Sequence, residues 1–216
     1  MWRPTTQNTY LRTSLTSGPA NYVGLIGSSS AVIPIVGDWN ADGTDTPGYY
    51  DPSSGFVSLS NDINGAPPYT DFAFGLGGDY PIVGDWNGDG IDSLGVYRQS
   101  TGQLLLRNDN STGFADFDMI FGDPGDIPFA GDWDGNGADS PGVFRPSTSI
   151  MYLLNSVTNG IVFADESVTF GGAGDTPVAG DWDGNGITDL GVYRPSMGMF
   201  FLRMPDTTTT GGGHYL

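Results

Sequence analysis

The stretch Gly84-Asp85-Trp86-Asn87-Gly88-Asp89-Gly90-Ile91-Asp92 decides how this chain reads. It occurs four times, in copies that begin at Gly37, Gly84, Gly131 and Gly180. With the aspartate after that glycine as position 1, every copy has an oxygen-bearing side chain at positions 1, 3 and 5 and a glycine at position 6. Alternate side chains then point inward and position 6 makes a sharp turn. That is the first half of a calcium loop.

The candidate ligands follow from the numbering, with position 7 as the backbone-oxygen position of such loops. The first loop offers Asp38, Asn40, Asp42, Thr44 and Asp45, the second Asp85, Asn87, Asp89, Ile91 and Asp92. The third offers Asp132, Asp134, Asn136, Ala138 and Asp139, the fourth Asp181, Asp183, Asn185, Ile187 and Asp189. Asp, Asn and Gly also form turns without metal, but three carboxylates in one loop repel unless neutralised. Oxygen ligands without His or Cys suit calcium better than zinc, and six or more oxygens suit calcium better than magnesium. Up to four calcium ions are expected. The last acid varies. The fourth copy has Asp189 at position 9, whereas Asp45, Asp92 and Asp139 stand at position 8, followed by Thr46, Ser93 and Ser140. Either position can close the cage. An EF-hand is excluded, because position 12 holds Tyr49, Val96, Val143 and Val192 instead of Glu.

The loop is the centre of a longer repeat. Its first aspartates are spaced 47, 47 and 49 residues apart. Pro34, Pro81, Pro128 and Pro177 sit four residues before them, each followed by an apolar pair; this is a first strand with proline at its start. After the loop comes a second strand, Gly95-Val96-Tyr97-Arg98, matched by Gly48-Tyr49-Tyr50-Asp51, Gly142-Val143-Phe144-Arg145 and Gly191-Val192-Tyr193-Arg194. A turn leads to a third strand such as Leu104-Leu105-Leu106-Arg107. A fourth ends in Phe74-Gly75, Phe121-Gly122 or Phe170-Gly171. No stretch has a sustained helical period. Four short antiparallel strands per unit is the construction of a propeller blade.

With its Asp-Trp-Asx-x-Asx-Gly loop, Gly-Val-Tyr-Arg strand and closing Phe-Gly, the repeat resembles the FG-GAP or VCBS-type repeat of bacterial surface proteins, related to integrin alpha-chain blades. The resemblance runs from about residue 3 to about 204. It implies an all-β, β-propeller-like array of about four four-stranded antiparallel blades, with a calcium loop between strands 1 and 2, in a secreted protein. Position 8 in the first three copies departs from the family's position 9.

Composition agrees with that class. The chain has 216 residues, 38% hydrophobic and 12% aromatic, with 35 glycines and 15 prolines. It has no cysteine and hence no disulfide framework. No run reaches the length of a membrane helix, and Met1-Trp2-Arg3-Pro4-Thr5 has no apolar signal core. Either a leader was removed or the numbering begins inside a longer chain. The net charge is −18, from 25 acidic residues and seven arginines. This argues against nucleic acid and anionic membranes as partners. The loops hold 12 of the 25 acids, so four divalent ions would bring the charge to about −10.

Trp39, Trp86, Trp133 and Trp182 at position 2 read as packing residues, with a sugar-stacking platform as the alternative. Arginine recurs in phase, as Arg3, Arg98, Arg145 and Arg194 ending strand 2 and as Arg12, Arg107 and Arg203 in strand 3. In-phase arginines read as partners for carboxylates such as Asp79, Asp126 and Asp175, with an anion-binding groove as the alternative. Asn110-Ser111-Thr112 is a glycosylation sequon. The one histidine, His214, lies in a Thr/Gly-rich tail with the Thr207 to Thr210 run, so no Ser-His-Asp set forms without that tail.

The expected organisation is one repeat domain over 1–204. It has a half-unit 1–30, repeats 31–77, 78–124 and 125–173, a partial repeat 174–204, and a tail 205–216. Strand 3 is present five times, since Arg194-Pro195-Ser196 to Arg203 repeats the phase of Arg3-Pro4-Thr5 to Arg12. The expected function is an extracellular or cell-surface, calcium-stabilised structural or adhesive module that is not an enzyme, forming a homo-oligomer or head-to-tail polymer through its terminal strands. A carbohydrate- or protein-binding module is the alternative, and a glycan-active enzyme the last choice.

Overall fold

The computed structural model describes residues 2–3, 8–11, 19–25 and 31–203. Arg12, Thr207 to Thr210, His214 and the tail 205–216 lie outside the described residues. Every regular element among the described residues is a β-strand, in a propeller-like array of antiparallel blades. The first sheet holds β1 (Trp2–Arg3), β2 (Asn8–Leu11) and β3 (Tyr22–Leu25). The second holds β4 (Ile33–Gly37), β5 (Thr46–Asp51), β6 (Phe56–Ser60) and β7 (Tyr69–Ala73); the third holds β8 (Tyr80–Gly84), β9 (Ser93–Arg98), β10 (Gln103–Leu106) and β11 (Phe117–Ile120). The fourth holds β12 (Ile127–Gly131), β13 (Ser140–Arg145) and β14 (Ile150–Leu153). It continues with β16 (Glu166–Thr169) after the short β15 (Gly160–Ile161). The fifth holds β17 (Thr176–Gly180), β18 (Asp189–Arg194) and β19 (Met199–Arg203). Strands follow one another in space as in sequence, except that β15 pairs parallel with β11, Ile120 opposite Ile161.

Contacts divide the chain into two compact units, Met1–Arg98 with Leu105–Phe117, and Gln99–Leu104 with Asp118–Leu216. In the first, Ile35, Tyr50, Val57, Leu59, Phe72, Leu94 and Val96 form the core. In the second, Phe129, Phe144, Met151, Leu153, Leu190 and Val192 form it. Each fully buried aliphatic or aromatic side chain contributes about 1.5–3 kcal/mol relative to exposure. The repeated glycine of strand 2 follows from this packing. A Cβ on Gly142 would lie 2.7 Å from Phe129 Cζ on β12 and 3.1 Å from Leu153 Cδ2 on β14, so the flanking strands close over a position with no side chain. Pro34, Pro81, Pro128 and Pro177 are each the second residue of their strand, one later than expected. They are tolerated because β4, β8, β12 and β17 each lie at an edge of their sheet, where a missing N–H breaks no ladder.

The in-phase arginines of strand 2 do meet the carboxylates named from sequence. Arg98 donates from Nε and Nη2 to the two oxygens of Asp79, both at 2.9 Å. Arg145 does the same with Asp126 at 3.0 and 2.8 Å, and Arg194 with Asp175 at 2.8 and 2.7 Å. Asp79, Asp126 and Asp175 are buried while the arginines stay partly exposed. The fork-on-fork geometry ties the turn before strand 1 to the end of strand 2. Arg107 in strand 3 has another task. It donates to Phe114 O at 2.6 Å and Ser111 Oγ at 2.8 Å, holding the loop after β10.

Asp126→Ala takes the bidentate partner from the partly exposed Arg145 and leaves it Asp123 alone. It should cost about 2–3 kcal/mol in urea denaturation, below the range for fully buried pairs because Arg145 is partly solvated. The Arg194 hydrogen bonds hold the Asp175 carboxyl below its ordinary value, against burial, which raises it. A lowered folded-state value means stability that is present above the unfolded pKa of about 4 and lost as pH falls through the folded one. The stability gap between wild type and Asp175→Asn should therefore be constant above about pH 5 and close as the pH falls below about 4. A gap that widens on acidification would refute the assignment.

Candidate metal centre

Each loop joins the first two strands of a sheet, and its position-1 aspartate shapes it. Asp85 accepts N–H bonds from Gly88 and Asp89 on Oδ1 at 2.8 and 3.1 Å, and from Gly90 on Oδ2 at 2.7 Å. Asp132 and Asp181 accept the same three donors of their own loops at 2.7–3.0 Å. Asp38 accepts from Asn40, Asp42 and Gly43. The turn needs positive φ at positions 4 and 6. Position 6 is Gly43, Gly90, Gly137 or Gly186 at φ 81 to 87°, and position 4 is glycine except for Ala41, held at φ 58°. The side chain at position 5 accepts from position 7 in every copy, as Asp89 Oδ1 does from Ile91 at 2.9 Å. These bonds wrap each loop around its position-1 carboxylate.

The loops diverge at positions 8 and 9. Position 9 is the first residue of strand 2, and its side chain is buried in all four copies: Thr46, Ser93, Ser140 and Asp189. Three are hydroxyls that donate to backbone carbonyls, Thr46 to Gly37 at 3.4 Å, Ser93 to Gly84 at 3.3 Å and Ser140 to Leu154. Asp189 cannot donate when ionised. Its Oδ2 accepts from Trp182 N at 3.2 Å, while Oδ1 is buried with no hydrogen-bond partner. Its ligand atom and those of Asp181 and Asp183 lie within 4.8 Å of one another, the one such carboxylate triad among the described residues. Burial pushes the Asp189 carboxyl above its ordinary value; the Trp182 N–H opposes this and Asp183 and Asp181 add to it. Asp181 is held below its ordinary value by the loop N–H groups, the Gly186 bond first.

Position 8 does something the spacing did not reveal. Asp92 Oδ2 accepts from the backbone N of Asp38 in the preceding loop at 2.7 Å, and Asp92 N donates to Asp38 O at 2.8 Å. Thr188 makes the same double contact with Asp132, Oγ1 accepting at 3.0 Å and N donating at 2.7 Å. Position 8 of the second and fourth loops is thus a hook onto position 1 of the loop before it, one in each unit. The signal in the sequence is that an acid at position 8 goes with a hydroxyl at position 9, and Thr188 goes with Asp189. In loops 1 and 2 the amides of Asn40 and Asn87 donate to Asp42 and Asp89 at 3.0 and 2.9 Å.

The tryptophans pack. Trp39 and Trp86 are buried, Trp133 and Trp182 half-buried. The indoles of Trp39, Trp133 and Trp182 fold back over the glycine before their loop, where a Cβ would meet them at 2.6–2.9 Å. Trp39 and Trp133 donate to Thr46 O and Ser140 O, both at 3.1 Å. The sequon residue Asn110 is half-buried and donates to Asp92 O at 2.8 Å, tying it to the second loop. An open groove of about 390 Å³ lined by Asp123, Asp126 and Arg145 has both carboxylates paired with that arginine. No protein-family model matches the chain, and no curated protein matches it.

Thr188→Val removes the acceptor from Asp132 N–H and should cost about 1–2 kcal/mol in urea denaturation, with Thr188→Ser close to wild type. A loss in Thr188→Ser with Thr188→Val close to wild type would show that the methyl group, not the hydroxyl, holds the loops together.

Proposed function

We propose that this chain is a calcium-stabilised, extracellular structural or adhesive module built of FG-GAP/VCBS-type blades, with no enzymatic role. The observation that carries the reading is the fourth loop. A buried carboxylate with one unpartnered oxygen faces two more carboxylates, and that arrangement is costly unless a cation lies among them. Asp181, Asp183 and Asp189 would hold the ion with Asn185 and the Ile187 carbonyl, while the other three loops, with the same positions 1, 3 and 5, would be further sites. Bound calcium would neutralise the loop and fix the blade's first two strands against each other.

Modules of this kind bind calcium with dissociation constants of about 0.1–1 mM. At about 100 times that constant each occupied site adds about 2.7 kcal/mol. The melting temperature should rise with calcium and fall with chelator. Terbium should give Trp182-sensitised emission, because that indole stands between two ligand positions. Asp189→Ser copies the position-9 hydroxyl of the other loops. It should abolish that emission, lower the melting temperature in calcium and raise it in chelator, where a buried charge has been removed. Identical wild-type melting in chelator and in millimolar calcium would sink the proposal.

A second proposal concerns association. Among the described residues β19 has no fourth strand beside it, whereas the second, third and fourth sheets all continue past strand 3. An open strand edge seeks a partner, and head-to-tail pairing of terminal strands would give a closed oligomer or a filament. Light scattering in calcium should show assemblies that disappear on deleting residues 199–216. A monomer at all concentrations would refute this.

A further inference from the structure

Two equivalent sheet edges differ in how they are covered. β7 and β11 are the fourth strands of consecutive repeats and end in Phe74-Gly75 and Phe121-Gly122, so Asp71 and Ala73 correspond to Asp118 and Ile120. Along β11 the outward backbone groups are taken. Asp118 N donates to Asn159 Oδ1 at 2.7 Å, Val162 N donates to Ile120 O at 3.1 Å, and β15 lies parallel alongside. Along β7 the described residues take one outward group, Ala73 N, which donates to Thr112 Oγ1 at 3.1 Å. Asp71 N has the same outward parity as Ala73 N, and no described residue bonds it.

The cause is loop length. Both covering loops start at an asparagine whose N–H bonds a carboxylate near the loop's end, Asn108 to Asp116 and Asn155 to Asp165, each at 2.8 Å. The first span is eight residues and the second ten. Two more residues allow the longer loop to lie along β11 as a strand. The shorter one, held inward by Arg107, reaches β7 with a single hydroxyl.

We propose that the edge of β7, Tyr69–Ala73, docks an extended cationic peptide segment of a partner protein, added parallel as β15 is added to β11. Tyr69, Asp71 and Ala73 share one exposed face. Such an edge supplies main-chain hydrogen bonds, and alternate side chains supply specificity. Charge sets the sign of the partner. Asp71 stands at the centre of the strand, exposed Asp62 and Asp109 lie in the adjoining turns, and the whole chain carries −18. An approaching segment with alternate Arg or Lys is attracted, and at this edge the β7 strand of a second copy, with its own Asp71, is repelled. Phe114, 95% exposed two residues after Thr112, offers an apolar contact beside the edge. Calcium plays no part in this proposal, so it stands or falls separately from the function proposed above.

The test uses the full chain, isotope-labelled for NMR, in calcium and in chelator. The probe is a synthetic octapeptide of alternating arginine and valine, with an alternating glutamate-valine octapeptide as control. The expected result is saturable shifts at residues 69–73, slowed exchange of the Asp71 amide, weaker binding at higher salt and no binding of the control. Asp71→Pro removes one outward N–H without touching the β6–β7 ladder and should weaken binding at least about tenfold with little change in melting. As a second variant, replacing residues 109–115 by the sequence of 156–164 should cover the edge from within and block the peptide. Absence of saturable binding, equal binding of the acidic peptide, or undiminished binding to the loop-replaced chain would each overturn the proposal. Self-association that the loop replacement abolishes would assign the edge to a second copy and overturn it too.

Discussion

A carboxylate that collects three backbone N–H groups of its own loop is the constraint from which the rest of each blade follows. In a loop of Asp, Asn and Gly three backbone donors, at positions 4 to 6 in the last three copies and at 3, 5 and 6 in the first, would otherwise have no secondary structure to satisfy them. Asp38, Asp85, Asp132 and Asp181 satisfy them with a single side chain. That forces left-handed backbone at two positions, which is why glycine recurs there and Ala41 is the exception. The turn in turn fixes the register in which β4 meets β5, Gly37 opposite Thr46, and the equivalent pairs of the other sheets. Register then decides that position 9 faces the interior. A buried aspartate at position 9 is therefore a consequence of loop geometry, and its unmatched charge follows from strand alternation.

Much of this could be read from the residues because it is local and repeated. Loop, strand order, closing Phe-Gly and the Arg–Asp pairs all recur at fixed spacing, and periodicity exposes them. Arg98 with Asp79 was predictable because both recur 47 residues on, as Arg145 with Asp126. Contacts between neighbouring loops were not legible. Asp92 and Asp189 look like alternative answers to one question about the last ligand, yet they serve different ends. Asp92 reaches 54 residues back to Asp38 N, while Asp189 stays in its own loop. Spacing within a repeat cannot show a partner that lies a whole repeat away. The proline position was off by one residue for a related reason, since the cross-strand pairing of Ile33 with Tyr50 begins the strand earlier than the proline implies.

Acid and base are distributed by the same economy. The arginines ending strand 2 in the last three repeats are used up on buried aspartates, and Arg107 on a loop carbonyl, so these four serve architecture. The negative charge is concentrated at the loops and at exposed strand positions such as Asp71. An acid on an edge strand disfavours pairing with identical molecules. It leaves pairing with a molecule of opposite charge permitted, and selectivity at such an edge needs nothing more.

The hook from position 8 to the preceding loop has a consequence for how disturbance spreads. Each hook joins only adjacent repeats, Asp92 to Asp38 and Thr188 to Asp132. A protein tied by nearest-neighbour links behaves as a one-dimensional lattice, in which stability is a sum of repeat terms and interface terms. Each hook is a double contact with a donor on either side, so opening one loop takes a hydrogen bond from both. Fraying within a unit should therefore take the two hooked loops together. Amide exchange would record that as matched protection, Asp38 with Asp92 and Asp132 with Thr188.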